Sequence, residues 1–487
     1  MTEPLAVSVG DLVTLTCLSG DLVHDANWGP SAAQGIRAHQ RYQRAAIKAN
    51  PDVQSEVRLR GTFEVDSQTI EVNGRIDLIY PGATQCTLAE LKSTFTPPEG
   101  INESVRARHW AQLTVYAALF LAQDAQTDAD SVACQLVWCN LLDERDTVEE
   151  RTLTREHASD FVTEALTRYS AWHKLVSERR AAMRRSGDAL VFPWGDFRPG
   201  QRAFAAQVFR AARDGGQLLA EAPTGTGKTA STVFPAVKAL SAGHVSRAVY
   251  LTAKTTGRES VDAALETMRA AGLSISHVNL RAKQQVCPCS QDGFALADDG
   301  RCPRTIGFFY RLPAARDELI QDGKLDGATL DRIAEAHALC PFELALQMLP
   351  WVDLVVSDFN YVFDPLVRLT DLAAPGGKNV LLIDEAHNLR ERARDMYSAE
   401  LDSALCQRAE QNAAGNPELL RAIQPLARAL RKLAKGHDDG DTVRRQSSRA
   451  LYDTVRMAIL QCDLVHASRN GHRTLAVFGR THRSDHH

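Results

Sequence analysis

A glycine-rich segment at residues 222–229, APTGTGKT, constrains the fold of this chain more than any other feature. The apolar segment 217–221 precedes it and a helical pattern follows, which predicts a strand, a loop and a helix in that order. Gly225 and Gly227 can turn backbone N–H groups toward phosphate oxygens, and a lysine and a threonine follow to meet the outer phosphates and Mg²⁺. The alternative, a turn that only ends a strand, is disfavoured by the complete Gly-Lys-Thr. The predicted ATP contacts here are Gly225, Thr226, Gly227, Lys228 and Thr229.

A second segment, residues 379–384, is apolar at 380–383, and two acids follow this apolar run, Asp384 and Glu385. Ligands of open parallel sheets bind at the carboxyl ends of the strands, so we expect Asp384 to hold Mg²⁺ and Glu385 to polarise the attacking water. An ordinary strand that meets solvent would look similar, but the upstream loop favours the catalytic interpretation. The predicted strands alternate with helices, which indicates an α/β domain with a parallel sheet covered on both faces. These strands are 217–221, 247–252, 353–357 and 379–384.

The acidic motif DEAH at 384–387, together with the upstream loop, resembles superfamily-two nucleic-acid helicases. Residues 357–365, SDFNYVFDP, narrow the resemblance to iron–sulfur helicases of the xeroderma pigmentosum group D (XPD) and bacterial DinG types. The resemblance covers about residues 191–465. It implies an ATP-dependent DNA helicase of the 5′-3′ type that acts in DNA repair on single-stranded or forked DNA. It also implies that Gln201 contacts the adenine base.

Four of the ten cysteines lie between the phosphate loop and the acidic motif, where these helicases insert a 4Fe–4S domain. Cysteine thiolates are the usual ligands of such a cluster. The close Cys-x-Cys pair departs from the family pattern, which makes Cys289 the least typical ligand. Zinc is one alternative to the cluster, although two separated Cys-x-x-Cys pairs would then be expected. The other alternative is that the four residues are buried free cysteines that bind no metal. The predicted cluster ligands are Cys287, Cys289, Cys302 and Cys340.

In the first third of the chain, a predicted hairpin aligns two acids. If the turn at 81–86 is symmetric, Asp77 lies opposite Glu90, and facing carboxylates repel unless a cation lies between them. Lys92 shares a strand face with Glu90 and could orient or activate a water that attacks a phosphodiester. The pattern predicts an Mg²⁺ or Mn²⁺ site, although a surface hairpin with scattered charges has the same spacing.

This arrangement resembles PD-(D/E)xK nucleases of the RecB type. His39 lies on the predicted first helix, where such nucleases often carry a metal-binding histidine, and Glu56 matches an early acidic residue. Gln112 and Tyr116 match a Q-x-x-x-Y motif on one helical face. The resemblance implies a restriction-endonuclease-like α/β domain that cuts DNA. Two alternatives stay open: a nuclease-like domain that only grips DNA, and a non-catalytic, ATP-gated DNA-binding or interaction protein.

The 487 residues suggest two to four domains. Only one RecA-like motor domain is visible, so we expect a C-terminally truncated helicase whose second motor domain is lost, frameshifted or supplied by another chain. Such a chain should not unwind DNA. The predicted domains are a nuclease-like domain at 1–165, a helical linker at 166–195, a RecA-like motor domain at 196–398 with the iron–sulfur insertion at about 280–345, a helical arch-like segment at 399–465 and an irregular tail at 466–487.

Charge and hydropathy exclude several classes of protein. The net charge of −4 argues against a uniformly basic nucleic-acid coat, though not against a local basic groove. No apolar run approaches the roughly 20 residues that span a bilayer, and the N-terminus lacks a basic segment followed by an apolar one. We therefore predict a cytoplasmic protein with DNA as partner and no membrane association. The oligomeric state stays open.

Overall fold

A computed structural model describes residues 5–23, 30, 32–82, 85–123, 129–141, 144–223, 225–290, 295–297, 301–372, 377–434, 451–455 and 457–459. These residues form two compact units. The first comprises the described residues up to 23, from 32 to 290 and from 304 to 397, and the second comprises residue 30, residues 295–297 and 301–303, and those from 398 onward. The predicted tail at 466–487 lies outside the described residues.

The N-terminal region of the first unit is a mixed sheet with helices packed on it. Its elements are β1 (Leu5–Ser8), α1 (Val9–Thr16), α2 (Ala32–Ala49), β2 (Gln54–Val65), β3 (Gln68–Tyr80), β4 (Thr87–Thr94), α3 (Glu103–Gln123), β5 (Ser131–Asn140), β6 (Asp146–Thr154) and α4 (Arg155–Ala189). The strand order is β1-β3-β4-β5-β6, and β2 pairs with β3. Alternating apolar residues on β2 and β3 bury one face and leave the other polar, as expected for a half-exposed sheet.

One edge of β3 is shared by two partners. Strand β1 pairs with residues 70–73 of β3, and β4 pairs with residues 78–80. Residues 74–77 lie between these two ladders, while β2 covers the opposite edge. A gap in the pairing of a central strand leaves backbone and side-chain groups available for other contacts.

Helix α4 connects the N-terminal region to the next one. Its first half packs in the N-terminal core through Val162 and Leu166. Its second half packs in the following region, where Trp172 makes an edge-on contact with Trp351 at 5.4 Å between ring centroids. The helix begins at an N-cap, Thr154, whose side chain accepts a hydrogen bond from a backbone N–H of the first turn.

The rest of the first unit alternates helices and short apolar strands. Its elements are α5 (Gln201–Asp214), α6 (Lys228–Ser241), β7 (Arg247–Leu251), α7 (Thr255–Ala270), β8 (His277–Asn279), α8 (Lys283–Val286), α9 (Phe308–Asp322), β9 (Lys324–Leu325), α10 (Gly327–Ala336), α11 (Pro341–Met348), β10 (Leu354–Ser357), α12 (Asn360–Phe363), β11 (Asn379–Ile383) and α13 (Leu389–Met396). All strand pairs are parallel, in the order β11-β7-β10-β8-β9. The predicted α/β fold class is confirmed.

The prediction of a strand at 217–221 is wrong. These residues have no regular structure, and all of them are exposed, Leu219 by 93%. A strand inside a parallel sheet must bury both faces, and only Leu218, Leu219 and Ala220 are apolar here. Two glycines, Gly215 and Gly216, precede the segment and a glycine-rich loop follows it, so ordering the segment would cost backbone entropy that three apolar side chains do not offset.

The second unit includes the helices α14 (Ser403–Asn412) and α15 (Pro417–Ala434), and residues 451–455 and 457–459 are also helical. They pack through a small apolar cluster that includes Cys406 and Leu426. Asp402 caps the start of α14 by accepting backbone N–H groups of its first turn. No helix among the described residues is both long enough and apolar enough to cross a bilayer.

Candidate functional site

The first candidate site lies where β3 and β4 separate. Their ladder ends at the pair Leu78–Ala89, so Asp77 and Glu90 occupy the next position, in the register that the hairpin predicts. At this point the Leu91 backbone N–H donates to Asp77 Oδ2 at 2.7 Å. The two carboxylates are therefore neighbours beside the gap in β3 pairing.

Glu90 is a charged group in a buried position. Its side chain is held by Lys92, whose Nζ lies 2.7 Å from Oε1. Burial raises the pKa of Glu90 to about 7, the nearby charge of Asp77 adds to this, and the Lys92 ammonium opposes it. Among the described residues, Oε2 of Glu90 has no hydrogen-bond partner. A buried carboxylate oxygen without a partner, next to a second carboxylate, fits a divalent cation.

His39 approaches the same carboxylates from α2. Its Nδ1 lies 3.7 Å from Asp77 Oδ1. The described residues contain no group of three or more His, Cys, Asp or Glu side chains that could hold a metal ion. The structure thus brings the predicted ligands His39, Asp77 and Glu90 together only in part. The histidine contacts the Asp77 carboxylate. A cation here would depend on the two acids and on water.

Glu56 lies on β2 across from Asp77, in a strained conformation. Its φ is 55°, and the β2–β3 ladder skips this position. Gln43 Nε2 donates to Glu56 Oε1 at 2.8 Å, and Arg75 Nε lies 2.7 Å from Oε2. A non-glycine residue in the left-handed region is unfavourable and persists where its surroundings fix it, commonly at a functional site.

Helix α3 closes the gap in β3 pairing with Tyr116. Its hydroxyl donates to the Arg75 carbonyl at 3.0 Å, which satisfies a backbone group that the strands leave uncovered. The Gln112 side chain hydrogen-bonds to Tyr116, so both residues of the predicted motif reach this edge. Gly74 permits the approach, because a Cβ there would lie 2.7 Å from the Tyr116 ring.

His109, also on α3, was not predicted as a site residue. Burial lowers its pKa to about 3, and the charge of Lys92 contributes to that shift. Its ring packs edge-on against Trp138 at 5.6 Å between centroids. The neutral imidazole therefore lies beside the lysine. A histidine three residues before Gln112 is on a helical face with little sequence signal, so only the fold could indicate it.

The second candidate site lies at the carboxyl end of β11. Lys228, the first residue of α6, places Nζ 3.5 Å from Glu385 Oε1. His387 Nδ1 lies 3.5 Å from the other carboxylate oxygen. Glu385 has a φ of 50°, a second strained residue at a candidate site. The Asp384 backbone N–H donates to Leu251 on β7, which fixes the acidic motif at the sheet end.

Tyr250 on β7 links the two motifs of this site. Its buried hydroxyl hydrogen-bonds to Thr229 and to Asp384. Burial raises its pKa well above the ordinary tyrosine range, and Asp384 reinforces the shift. The contact of Tyr250 with the phosphate loop became visible only with the fold, because β7 and β11 are adjacent in the sheet.

The Gln201 side chain contacts the backbone of the phosphate loop. Gln201 Nε2 donates to the Gly227 carbonyl at 3.4 Å, and Oε1 accepts from the Arg198 backbone at 3.0 Å. The Arg198 side chain donates to the carbonyl of Gly225. Both loop glycines have positive φ, 80° and 77°, which other residues rarely adopt. The segment at 198–201 therefore lies against the loop that is expected to bind phosphate.

The four predicted cluster cysteines do not form a metal-holding group among the described residues. Cys340 is buried at the start of α11, and desolvation raises the pKa of its thiol. A raised pKa favours the protonated thiol over the thiolate that ligates metal. Cys287 and Cys289 are half-buried near α8, and Cys302 belongs to the second unit. The cluster prediction is not confirmed and stays a prediction.

Two family models match the chain. Residues 10–192 match the PD-(D/E)XK nuclease superfamily, and residues 268–405 match DEAD_2. A regulator of telomere elongation helicase 1 homolog from Drosophila yakuba is 22% identical over 271 residues, or 45% of this chain and 27% of that protein. The general transcription and DNA repair factor IIH helicase subunit XPD of Dictyostelium discoideum is also 22% identical, over 254 residues, 47% of this chain and 32% of that protein. These matches relate the chain to the XPD-type helicases.

The similarity to the XPD-type helicases covers only part of the length of those proteins. The chain matches about a quarter to a third of the full length of these curated relatives. A solved structure described as an XPD helicase aligns with a TM-score of 0.34 and 16% identity over 57% of this chain and 48% of that structure. The N-terminal site lies within the nuclease-superfamily match, and the acidic motif lies within the DEAD_2 match.

Proposed function

We propose that this chain is an ATP-dependent DNA helicase-type motor joined to a metal-dependent DNA nuclease. The observation that carries the motor half is the contact of Lys228 with Glu385 at the carboxyl end of a parallel sheet. The link from Thr229 through Tyr250 to Asp384 supports it, because it joins the two motifs that would hold one nucleotide. The helicase relatives support ATP as the nucleotide and DNA as the track.

In the motor, each residue would act on the bound triphosphate in a distinct way. Backbone N–H groups of the loop and the start of α6 would bind the phosphates. Lys228 would leave Glu385 and neutralise the γ-phosphate, which frees Glu385 to orient the attacking water. Thr229 and Asp384 would hold Mg²⁺. The ion, when bound, neutralises charge that develops on the phosphates. Gln201 would contact the base from beside the loop.

In the nuclease, the unpartnered Oε2 of Glu90 carries the proposal. Asp77 and Glu90 would hold Mg²⁺ or Mn²⁺, with His39 positioning Asp77. The cation, when bound, supplies charge stabilisation for phosphodiester cleavage. Lys92, fixed by its 2.7 Å contact to Glu90, would orient the attacking water. His109, beside Lys92, is neutral and therefore adds no second positive charge near the Lys92 ammonium.

The second candidate function is an ATP-gated DNA-binding protein whose nuclease-like domain does not cut. The absence of a group of three metal-ligating side chains among the described residues favours this alternative. The intact Asp77, Glu90 and Lys92 favour the nuclease.

The iron–sulfur assignment is proposed on the sequence pattern alone, and we derive no step through a cluster. Chain purified without oxygen should be brown and contain about four irons. Replacing Cys340 by Ser should bleach it. Stoichiometric zinc without iron would contradict the assignment.

One experiment separates the two candidate functions. The purified chain is incubated with labelled single-stranded DNA and Mg²⁺ or Mn²⁺, with and without ATP. Cleavage that requires the metal, together with ATP hydrolysis that DNA stimulates, supports the proposal. DNA binding that ATP changes, with no cleavage under either metal, supports the non-cutting alternative.

A further inference from the structure

His109 of α3 has a buried ring nitrogen, Nδ1, that has no hydrogen-bond partner among the described residues. The ring itself is fixed from one side by Trp138 of β5, in an edge-on contact with 5.6 Å between the ring centroids. Trp138 is fixed in turn, because its indole N–H donates to Glu149 Oε1 at 2.8 Å. A buried nitrogen without a partner is rare in a folded protein, and one that is held in place requires an explanation.

Hydrogen bonds along α3 determine which nitrogen of His109 carries the proton. The Tyr116 hydroxyl donates to the Arg75 carbonyl, so its oxygen accepts from the amide N–H of Gln112. The side-chain oxygen of Gln112 then accepts from the imidazole of His109. Because Nδ1 has no partner, the nitrogen that donates is Nε2. Nδ1 of the neutral ring therefore carries a lone pair.

Lys92 lies on the face of the sheet that α3 covers. Two hydrophobic cores cover the two faces of β4 and β5, and alternate residues of each strand belong to each core. The core that includes α3 contains Leu88, Leu136 and Trp138, and the other core contains Ala89, Leu91, Val137 and Cys139. Glu90 and Lys92 alternate with Ala89 and Leu91, so their side chains lie on the α3 side. Lys92 is also paired with Trp138 in the β4–β5 ladder, which makes it a neighbour of the ring that fixes His109.

The Lys92 ammonium and the His109 lone pair are electrostatically complementary. Burial is the largest cause that lowers the pKa of His109 to about 3, and the positive charge of Lys92 contributes, so the ring is neutral at physiological pH. An ammonium carries more than one N–H donor, and the 2.7 Å contact with Glu90 Oε1 uses one. Nδ1 can accept another without adding charge to the site. Hydrogen bonds of catalytic groups commonly close only when the ligands are bound.

We propose that His109 is a positioning residue of the nuclease, whose Nδ1 accepts a hydrogen bond from the Lys92 ammonium once a divalent cation is bound by Glu90. An ammonium that is held by both Glu90 and His109 keeps one direction toward the attacking water. Trp138 and Glu149 hold the imidazole in place for this contact. The inference rests on the proposed nuclease function and adds to it a residue outside the predicted ligands and the Q-x-x-x-Y motif.

Two amide variants separate a role of Nδ1 from a role in packing. In His109→Asn, the amide oxygen is the same number of bonds from Cα as Nδ1, whereas in His109→Gln the amide matches Nε2. His109→Phe keeps a ring against Trp138 and has neither nitrogen. The matched controls are His157→Asn and His157→Gln, at an exposed histidine of α4.

Metal-dependent cleavage of labelled single-stranded DNA by the full chain is measured so that kcat and KM are separated. His109→Asn should keep nearly the wild-type kcat. His109→Gln and His109→Phe should lose about 10- to 100-fold in kcat with KM unchanged, because a hydrogen bond to a charged group is lost. The His157 variants should match wild type. A role in packing predicts the reverse order, with His109→Phe the most active, and that order or equal rates in all three variants would overturn the proposal.

A spectroscopic measurement decides the inference if the chain does not cut DNA. The full chain is isotope-labelled at its histidine ring nitrogens, and the signals of His109 are those that are missing from His109→Asn. The metal-free chain should show a neutral ring with the proton on Nε2. On addition of Mg²⁺ the Nδ1 signal should move as a lone pair does when it accepts a hydrogen bond, and it should not move in Lys92→Met. An equal movement in Lys92→Met, or a proton on Nδ1, would contradict the contact.

The two measurements distinguish failure of the contact from failure of the nuclease. A movement of the Nδ1 signal that requires Lys92, without cleavage by wild type, means that the proposed nuclease function fails and the contact stands. Cleavage by wild type without this movement means that the nuclease stands and the contact fails. The absence of both rejects both.

Discussion

In the N-terminal region, the candidate carboxylates sit on neighbouring paired strands, whereas in the motor region the phosphate loop joins an exposed irregular segment to a helix. Strand pairing fixes Asp77 and Glu90 next to each other, and Glu90 is buried at an electrostatic cost. The described residues of the loop, 222–223 and 225–229, belong to no strand, and the loop glycines leave the backbone adaptable. The first site is thus preformed and charged, and the second is expected to order around its ligand.

The largest expected effect is on the preformed site. Asp77→Ala should slow metal-dependent DNA cleavage on the order of 10³-fold, because a cation contributes several kcal/mol to the transition state. ATP hydrolysis should stay near wild type. The matched control is Asp52→Ala, an exposed acid just before β2. Cleavage that survives Asp77→Ala would show that the activity lies elsewhere.

The corresponding change in the motor is Lys228→Ala. ATP hydrolysis should fall about 10²- to 10³-fold, the usual loss when one preorganised charge or donor is removed. DNA cleavage should be unaffected, which sharpens the contrast with Asp77→Ala. Lys174→Ala on the exposed side of α4 serves as the control. Steady-state phosphate release measures ATP hydrolysis by both variants. A wild-type rate in Lys228→Ala would contradict the assignment of residues 222–229 as the phosphate-binding loop.

The buried charge predicts a pH dependence in the metal-free chain. The folded-state pKa of Glu90, about 7, lies above its ordinary value, so stability is lost as pH rises from about 4.5 through 7. Glu90→Gln removes that loss. The free energy of unfolding of the variant should therefore exceed that of wild type by up to about 3 kcal/mol at pH 8 and by little at pH 4.5. Thermal unfolding in EDTA at several pH values measures it. A difference independent of pH would contradict the preformed, charged site.

The smallest effect concerns the link across the motor site. Tyr250→Phe removes one hydroxyl that hydrogen-bonds to Thr229 and Asp384. A net hydrogen bond contributes about 1 kcal/mol, so ATP hydrolysis should fall roughly five- to tenfold with folding intact. Tyr397→Phe, at an exposed tyrosine, is the control. An unchanged rate would show that the loop and the acidic motif do not depend on this contact.

Much of the N-terminal site was predictable because strand alternation and a short turn fix a register. The strands that carry Asp77 and Glu90 were predicted, as was their alignment. Strand β6 was missed, because it is an edge strand whose residues are mostly polar and of which only Leu153 is buried. Strands β8 and β9 have three and two residues, too few to show a period.

Contacts between side chains of different helices and strands could not be predicted from the sequence. The positive φ of Glu56 and the hydrogen bonds of Tyr250 to Thr229 and Asp384 depend on packing between distant segments. The incorrect prediction of a strand at 217–221 is the opposite error. Three apolar residues there satisfied the sequence pattern, but these residues are exposed in the structure. The predicted domain boundaries at 165 and 195 stay predictions.

Helix α4 belongs to two hydrophobic cores at once. Its 35 residues extend about 52 Å at 1.5 Å per residue. Because Val162 and Leu166 complete one core while Trp172 and Val176 complete the next, neither core can melt without exposing part of a helix that the other needs. The two regions are therefore expected to unfold in one cooperative transition. A recombinant boundary placed inside 155–189 would leave both pieces with an open core, so separate expression of either region requires the whole helix.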